Sequence, residues 1–424
     1  MEFNFLDAPP GSGKTTAIIN EINKTLVYPE YNKRFLVVTP YLTEVERICT
    51  NTPCIEPVGK KREEIKGLLS NGENVCCTHA LFNLFDNEIL NVIREGDYQY
   101  TLFIDEDITL MSNIVGGHTL YNKGYDGLIE VFGTKDIDLA IDCGLFIEDK
   151  DTHQLTWNNR HTYNNNDSNK GIYDSLKNRL LLFDLYKCCS GVVQVLKKEV
   201  WQVFSSVTFC SYRMRYSLLH AYCELMGIKA IYKHLEGDTI SNGYLDLKPP
   251  QDCLRRIKTF TTKNNSIIAY STFSKTWYMN NIRKEKTKYG KALIAAWRSF
   301  KENDVPKDTG KKRYFWTCYK GFENSLRDSK SLSERKWVPC NLKATNDYSE
   351  YQIVGYFINR FTNVNLKAFL KAKGIELDEE ELALSEFIQF LWRSNIRVKD
   401  SKTNIYVFIA AHALFNDFNK WREP

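Results

Sequence analysis

The residues best suited to phosphate chemistry lie near the start of the chain. Residues 8–16 read APPGSGKTT; they follow the short apolar stretch Phe3–Asp7 and precede the helix-like stretch Ala17–Ile22. Glycines allow successive backbone N–H groups to turn towards one anion, and the amino end of a helix adds its partial positive charge. This order of strand, glycine-rich loop, lysine and threonine is typical of a P-loop. The expected nucleotide-binding residues are Pro10, Gly11, Ser12, Gly13, Lys14, Thr15 and Thr16.

A second set of candidate residues follows another apolar stretch, residues 100–104. This stretch ends in Asp105-Glu106-Asp107. Asp105 can bind Mg²⁺ together with the Thr15 hydroxyl, and Glu106 can polarise a water molecule for attack on the γ-phosphate while Lys14 reaches the phosphates. The sequence therefore predicts ATP and Mg²⁺ as cofactors and ATP hydrolysis as the reaction.

Parallel strands are the elements that would bring these residues together. Two more candidate buried strands, Phe35–Val38 and Asn74–Cys77, alternate with helical stretches, a pattern that favours an α/β fold with a parallel sheet. Ligands lie at the carboxyl ends of strands in open parallel sheets, so the loop and the acids should converge there. Thr39 and Thr78 follow the two further strands and should lie at the same edge.

In this order, the motifs resemble those of superfamily 2 helicases, the DExD/H-type ATP-dependent nucleic-acid motors. Leu6–Thr16 resembles motif I, and residues 104–107 resemble motif II. Other stretches resemble motifs Ia, the next strand-contacting motif, III, IV, V and VI: Val37–Pro40, Thr78–Leu81, Trp201–Phe209, Ser266–Thr272, Pro339–Asp347 and Gln389–Arg397. The sequence departs from the family at Ile108, where most members have Asp or His, and motif III lacks Ser-Ala-Thr.

The resemblance implies an α/β fold of two RecA-like P-loop domains in tandem, with parallel sheets flanked by helices. We expect the first domain at residues 1–245 and the second at 246–424, with ATP between them. Motif VI would supply Gln389 and the arginine fingers Arg393 and Arg397, which we expect on one face of a helix. A nucleic-acid strand would run along Thr39, Thr78 and Thr345.

About a hundred residues separate motifs II and III, far more than one helix and a loop require. We expect a partly helical insertion at about 110–200 in the first domain, with helical apolar spacing from Ile172 to Tyr186. Such an insertion could contact nucleic acid or a protein partner, or form a lid on the core.

Charge is distributed unevenly along the chain. Residues 1–250 carry a net charge of −8 and residues 251–424 a net charge of +13, which together give +5. The stretch 253–343 has 22 basic and 7 acidic residues. Aromatic residues are interspersed among them, including Trp277, Trp297, Tyr314, Phe315, Trp316, Tyr319 and Trp337. Lysines and arginines with interspersed rings suit a nucleic-acid strand, with single-stranded DNA favoured over RNA, unless the rings belong to the core.

The sequence favours a cytoplasmic protein, or one in the host cytoplasm if it is viral, and no stretch approaches the length of a membrane span. Two alternatives to a helicase or translocase remain. One is another P-loop motor, such as a viral packaging ATPase, which would need a nuclease domain with clustered acids. The other is a nucleotide-switched nucleic-acid-binding protein without unwinding activity.

Overall fold

A computed structural model describes most of the chain. The described residues are 1–27, 32–114, 138, 141–142, 144, 146–158, 180–188, 191–262, 265–282, 287–310, 313–328, 331–340, 347–398 and 400–423. They form two compact units, each discontinuous in sequence. The first consists of Met1–Asp7, Lys14–Tyr244 and Thr362–Leu377, and the second of Ala8–Gly13, Leu245–Phe361 and Asp378–Pro424. The domain limits predicted from the sequence, 1–245 and 246–424, stay a prediction.

The first unit is built on a seven-stranded sheet in the order β12-β11-β1-β10-β4-β2-β3. Every neighbouring pair is parallel except β11 and β12. The strands are β1 (Glu2–Asp7), β2 (Lys33–Thr39), β3 (Val75–Thr78), β4 (Gln99–Asp105), β10 (Ser206–Ser211), β11 (Lys229–Glu236) and β12 (Thr239–Asn242). The helices are α1 (Lys14–Leu26), α2 (Leu42–Asn51), α3 (Lys61–Ser70), α4 (His79–Phe82), α5 (Asn87–Glu95) and α6 (Leu218–Met226).

The central strands have apolar side chains on both faces, as strands covered by helices must. Leu36, Val37 and Val38 of β2 are fully buried, and so is Ile104 of β4. Burial on both faces fixes these strands within the molecule, and their parallel register aligns their carboxyl ends. Asp7, Thr39, Thr78, Asp105 and Ser211 are the last residues of their strands, so they all lie at one edge of the sheet.

The described part of the insertion forms an antiparallel sheet in the order β5-β9-β8-β7-β6. Its strands are β5 (Met111–Ile114), β6 (Phe146–Glu148), β7 (Gln154–Trp157), β8 (Phe183–Cys188) and β9 (Gly191–Leu196). The helix predicted from Ile172 to Tyr186 is wrong at its end, because residues 183–186 pair with β9 as part of β8. Residues 172–179 lie outside the described residues. An apolar run this short fits a strand as well as a helix.

The second unit contains a parallel sheet in the order β13-β16-β15-β14. Its strands are β13 (Ile257–Thr261), β14 (Tyr314–Thr317), β15 (Ile353–Tyr356) and β16 (Ile405–Ile409). The helices of the second half of the sequence are α7 (Gln251–Arg255), α8 (Lys275–Asn281), α9 (Lys288–Ser299), α10 (Glu323–Leu326), α11 (Val364–Ala372), α12 (Glu379–Leu391) and α13 (His412–Arg422). Of these, α11 lies in the first unit.

Four of the seven aromatic residues named above in the basic stretch belong to the core of this unit. Trp297, Phe315 and Trp316 are fully buried, and Tyr314 is 7% exposed. Trp297 packs on Phe300 and Phe357, with ring centroids 5.3 and 5.4 Å away. These four rings therefore cannot stack on bases in this fold. For them, the alternative interpretation from the sequence, that the rings form the core, is correct.

The predicted helix carrying Arg393 and Arg397 on one face is wrong. Helix α12 ends at Leu391, and Arg397 lies in a separate 3₁₀ turn, Asn395–Arg397. Ser394 separates the two elements because its hydroxyl accepts the Ile396 N–H and caps the second turn. Arg393 therefore lies just beyond the end of α12. The helical spacing of four residues does not relate its guanidinium group to that of Arg397.

The predicted fold class is confirmed: both units are α/β, with mainly parallel sheets flanked by helices. The described helices include none with the length and apolarity that a membrane crossing requires.

Candidate nucleotide site

The loop between β1 and α1 has the backbone that a phosphate cradle needs. Gly11 and Gly13 adopt φ values of 78° and 100°, which side chains with a Cβ rarely adopt. The Ser12 N–H donates to the Pro9 carbonyl at 3.2 Å and closes the turn. Helix α1 begins at Lys14, so its amino end directs backbone N–H groups towards the loop. Pro10, Gly11 and Ser12 are partly or fully exposed, as a loop that receives a ligand must be.

The structure brings Thr15 and Asp105 together at the carboxyl edge of the sheet. The Thr15 hydroxyl donates to Asp105 Oδ2 at 3.4 Å, although 90 positions separate the two residues. Burial, reinforced by the neighbouring Glu106 carboxylate, raises the pKa of Asp105 to about 7, while Lys14 and the Thr15 hydroxyl act in the opposite direction. Asp105 is 5% exposed, so a cation next to it would offset a costly buried negative charge.

This pair of oxygen ligands fits Mg²⁺. The ion commonly binds through one or two protein oxygens and completes its shell with water and phosphate oxygens. Within the described ranges, no group of three or more His, Cys, Asp or Glu side chains could hold a metal by itself. The chemistry of these two oxygen groups is therefore compatible with a Mg²⁺ ion that also binds phosphate oxygens.

Glu106 is held in an unusual backbone conformation next to Asp105. Its φ is 66°, in the left-handed region that residues with a Cβ seldom occupy. The Glu106 N–H donates to the Cys210 carbonyl at 2.8 Å, which ties the end of β4 to β10. The side chain is half-buried. Such local strain clusters at functional sites, and here it falls on the residue that follows Asp105.

His79 contacts the end of β4, which carries Asp105. The sequence indicates His79 only as part of the motif Thr78–Leu81 and gives it no role. A ring nitrogen of His79 lies 2.8 Å from the Asp105 carbonyl oxygen. Thr78 accepts the Leu81 N–H through its hydroxyl and caps α4, which positions His79 at the first helical residue. His79 thus links the end of β3 to the end of β4 at Asp105.

The residues predicted to contact nucleic acid are placed as follows. Thr39 is fully buried, and its hydroxyl donates to the Tyr41 carbonyl at 3.2 Å. Thr78 is half-buried at the end of β3. Thr345 lies outside the described residues. Thr16, predicted to bind nucleotide, accepts a hydrogen bond from Arg47 Nη2 at 3.1 Å. Contacts of Thr39, Thr78 and Thr345 with nucleic acid stay a prediction.

Asp7 and Arg213 lie at the same edge and were not identified as site residues from the sequence. Both Asp7 oxygens accept backbone N–H groups, from Arg213 at 2.8 Å and from Met214 at 2.9 Å. Burial raises the pKa of Asp7 to about 6, opposed by these hydrogen bonds and by the charges of Lys14 and Arg213. One signal was present in the sequence, since Arg213 follows a strand of the sheet by two residues, where functional groups collect.

The predicted motif VI residues lie in the second unit. Arg393 is 6% exposed, its Nη1 donates to the Cys340 carbonyl at 3.4 Å, and its guanidinium lies 5.0 Å from the Phe390 ring centroid. Gln389 is half-buried in the last turn of α12, and Arg397 is half-buried in its 3₁₀ turn. Residues 8–13, which form the glycine-rich loop, also belong to the second unit. A Cβ atom added at Gly11 would lie 3.8 Å from Trp392 Cδ1.

The chain is similar to one curated protein over nearly its whole length. It is 28% identical over 428 residues to the SPbeta prophage-derived uncharacterized protein YonV of Bacillus subtilis (strain 168), covering 95% of this chain and 94% of that protein. Residues 251–422 match a family model described as the YonV C-terminal Rossmann-like domain. The Rossmann-like description agrees with the parallel sheet found in the second unit.

Two solved structures resemble the chain more distantly. S. tokodaii Xpd4 has a TM-score of 0.49 and 13% identity, covering 99% of this chain and 93% of that one. The DUF1998 helicase MrfA, solved bound to DNA and AMPPNP, has a TM-score of 0.35 and 9% identity, covering 99% of this chain and 48% of that one. At these TM-scores neither likeness carries an argument about function.

Proposed function

We propose that the protein is an ATP-dependent nucleic-acid helicase or translocase. The observation that carries the proposal is the convergence of the glycine-rich loop, Lys14, Thr15 and Asp105 at the carboxyl edge of one parallel sheet. This arrangement supplies what phosphoryl transfer to water requires: a cradle of N–H groups, a cation that reaches the phosphates, and a metal-binding hydroxyl and carboxylate.

The roles of the chain's own residues follow from this chemistry. The loop N–H groups and Lys14 would hold the phosphates, and Thr15 with Asp105 would bind Mg²⁺, which neutralises charge on the phosphate oxygens. Glu106 would orient the attacking water and accept its proton. Arg393, and with it Gln389 and Arg397, would contact the γ-phosphate, which is the role that the resemblance to helicases gives to motif VI.

Two features support nucleic acid as the partner. The net charge of +13 in residues 251–424 favours a polyanion. Tyr270 is 91% exposed. Its ring centroid lies 6.5 Å from that of His412, the first residue of α13. An exposed aromatic ring offers a flat surface on which a base can stack, with a free-energy gain of about 1–3 kcal/mol.

Lys14→Ala tests the proposed nucleotide chemistry. Removing the ammonium group should lower ATP turnover to background, because no other side chain of the loop is a cation. Lys24→Ala is the matched control, since Lys24 lies exposed at the end of the same helix and should leave turnover unchanged. ATP turnover by Lys14→Ala equal to that of the unaltered protein would mean that the loop is not the catalytic site.

A further inference from the structure

The turn that follows β10 is fastened to the residue immediately before the P-loop. Asp7 is the last residue of β1, and its two carboxylate oxygens accept the N–H groups of Arg213 and Met214. Asp7 is 6% exposed, so these two hydrogen bonds are made away from water, where hydrogen bonds to a charged acceptor are strongest. These two bonds hold the Arg213 turn against the residue that precedes the P-loop.

The strand register places this turn between the loop and the acids. Strand β10 pairs with β1 on one side, where Asp7 is opposite Ser211, and with β4 on the other, where Asp105 is opposite Cys210. The Glu106 N–H also donates to the Cys210 carbonyl. A phosphate held by the loop next to Asp105 would thus lie over the end of β10, close to the turn that contains Arg213.

Arg213 occupies this turn at a cost to stability. Its φ of 56° is left-handed, which costs a residue with a Cβ roughly 1–2 kcal/mol. Its side chain is 5% exposed, although a guanidinium loses hydration when it is buried. The guanidinium lies 4.9 Å from the Tyr216 ring centroid, and the Arg213 and Lys14 charges both lower the pKa of Asp7. Two cations therefore share the neighbourhood of Asp7 at the P-loop entrance.

We propose that Arg213 is a further phosphate-binding residue of the nucleotide site and that Asp7 is the residue that positions it. The inference rests on the proposed function, because it assigns a second cation from the first unit to the same triphosphate. A guanidinium beside Lys14 favours a ligand with the extra charge of the γ-phosphate, since it can donate two parallel hydrogen bonds to phosphate oxygens. Arg213 would therefore help the site to distinguish triphosphate from diphosphate.

The test is equilibrium binding of AMPPNP and ADP to the full chain in the presence of Mg²⁺, measured by isothermal titration calorimetry. Arg213→Asn is the main variant, because asparagine tolerates the left-handed region and removes the guanidinium. AMPPNP affinity should fall roughly 10- to 100-fold, the range for charge-assisted hydrogen bonds, while ADP affinity changes much less. Arg215→Ala is the matched control, since Arg215 is exposed two residues further on and should leave both affinities unchanged.

Further variants separate a positioning role from a structural one. Arg213→Gln keeps the stem over Tyr216 without the charge, and should reproduce the loss if Arg213→Asn does not fold. Asp7→Asn retains one of the two acceptor oxygens and should lower the ratio of AMPPNP to ADP affinity, whereas simple destabilisation would reduce the binding of both ligands alike. Arg213→Lys should restore part of the ratio.

The binding measurements distinguish failure of the role proposed for Arg213 from failure of the proposed function. An unchanged ratio of AMPPNP to ADP affinity in folded Arg213→Asn or Arg213→Gln would overturn the role of Arg213, while loss of AMPPNP binding in Lys14→Ala would still support the nucleotide site. If the unaltered protein binds neither nucleotide, the proposed function fails and the role of Arg213 fails with it.

Discussion

At the scale of single residues, Arg393 combines deep burial with a functional group that normally seeks water. Its guanidinium is held by the Cys340 carbonyl and lies over Phe390. A guanidinium can donate two parallel hydrogen bonds to phosphate oxygens, and the proposed function gives Arg393 this role at the γ-phosphate. We therefore expect Arg393 to stabilise the transition state of ATP hydrolysis more than it stabilises bound ATP.

Arg393→Ala should preserve ATP binding and lower ATP turnover at least ~10²-fold, because arginine fingers contribute about 10³–10⁵ in related NTPases. Single-turnover hydrolysis and a separate nucleotide titration measure the two effects. Arg255→Ala is the control, as its side chain is 77% exposed. Weakened binding with unchanged turnover per bound ATP would exclude Arg393 from the mechanism.

At the residue scale, the sequence suggests candidate site residues only where the chemistry depends on neighbours along the chain. The P-loop residues and the pair Asp105 and Glu106 are each contiguous, so their spacing alone indicates their chemistry. The contact of Asp7 with Arg213 joins residues 206 positions apart. No local pattern encodes such a contact, because it depends on β10 lying next to β1 in the sheet.

At the scale of elements, helix α11 ties a late segment of the chain to the inserted sheet. Phe369 is 6% exposed, and its ring centroid lies 4.9 Å from that of Tyr186 in β8. Asn365 Nδ2 donates to Asn113 Oδ1 in β5 at 3.0 Å, and the Lys373 ammonium lies 5.3 Å from the Tyr186 ring centroid. The helix thus covers one face of a sheet that would otherwise expose apolar side chains.

Phe369→Ala should lower the free energy of unfolding of the first unit by about 3 kcal/mol, because it leaves a cavity against β8. Urea unfolding measures the loss, and hydrogen exchange at the amides of β8 and β9 should become faster. Lys371→Ala, on the exposed side of the same helix, should change stability by less than about 0.5 kcal/mol. Equal losses in both variants would contradict the packing described for α11.

Element prediction was accurate for the parallel strands and poor for the insertion. Strands such as Phe35–Val38 are buried on both faces, so their apolar runs are distinctive and their order along the chain indicates a parallel sheet. Residues 183–188 are only partly buried, and pairing with β9 decides their conformation. The end of α12 was also missed, because the apolar spacing continues past Leu391 while the cap at Ser394 stops the helix.

At the scale of the whole molecule, charge rather than aromatic surface is the main argument for nucleic acid. Seven of the fourteen rings in the basic stretch are buried in the core, so the affinity for a strand would come chiefly from lysines and arginines, with Tyr270 as an exposed exception. Binding of this kind weakens steeply as salt rises, because counterions are released from the phosphates. The asymmetry in charge was visible in the sequence, whereas the burial of the rings required the fold.

The rate of ATP turnover, measured with and without matched single-stranded DNA and RNA oligonucleotides at low salt, would show whether the protein is a nucleic-acid motor. We expect Mg²⁺-dependent hydrolysis that a single-stranded oligonucleotide stimulates, with stimulation that declines as salt is raised. Duplex unwinding in the same samples would distinguish a helicase from a translocase. Hydrolysis that is slow and indifferent to both nucleic acids would contradict a motor and would leave a nucleotide-switched protein.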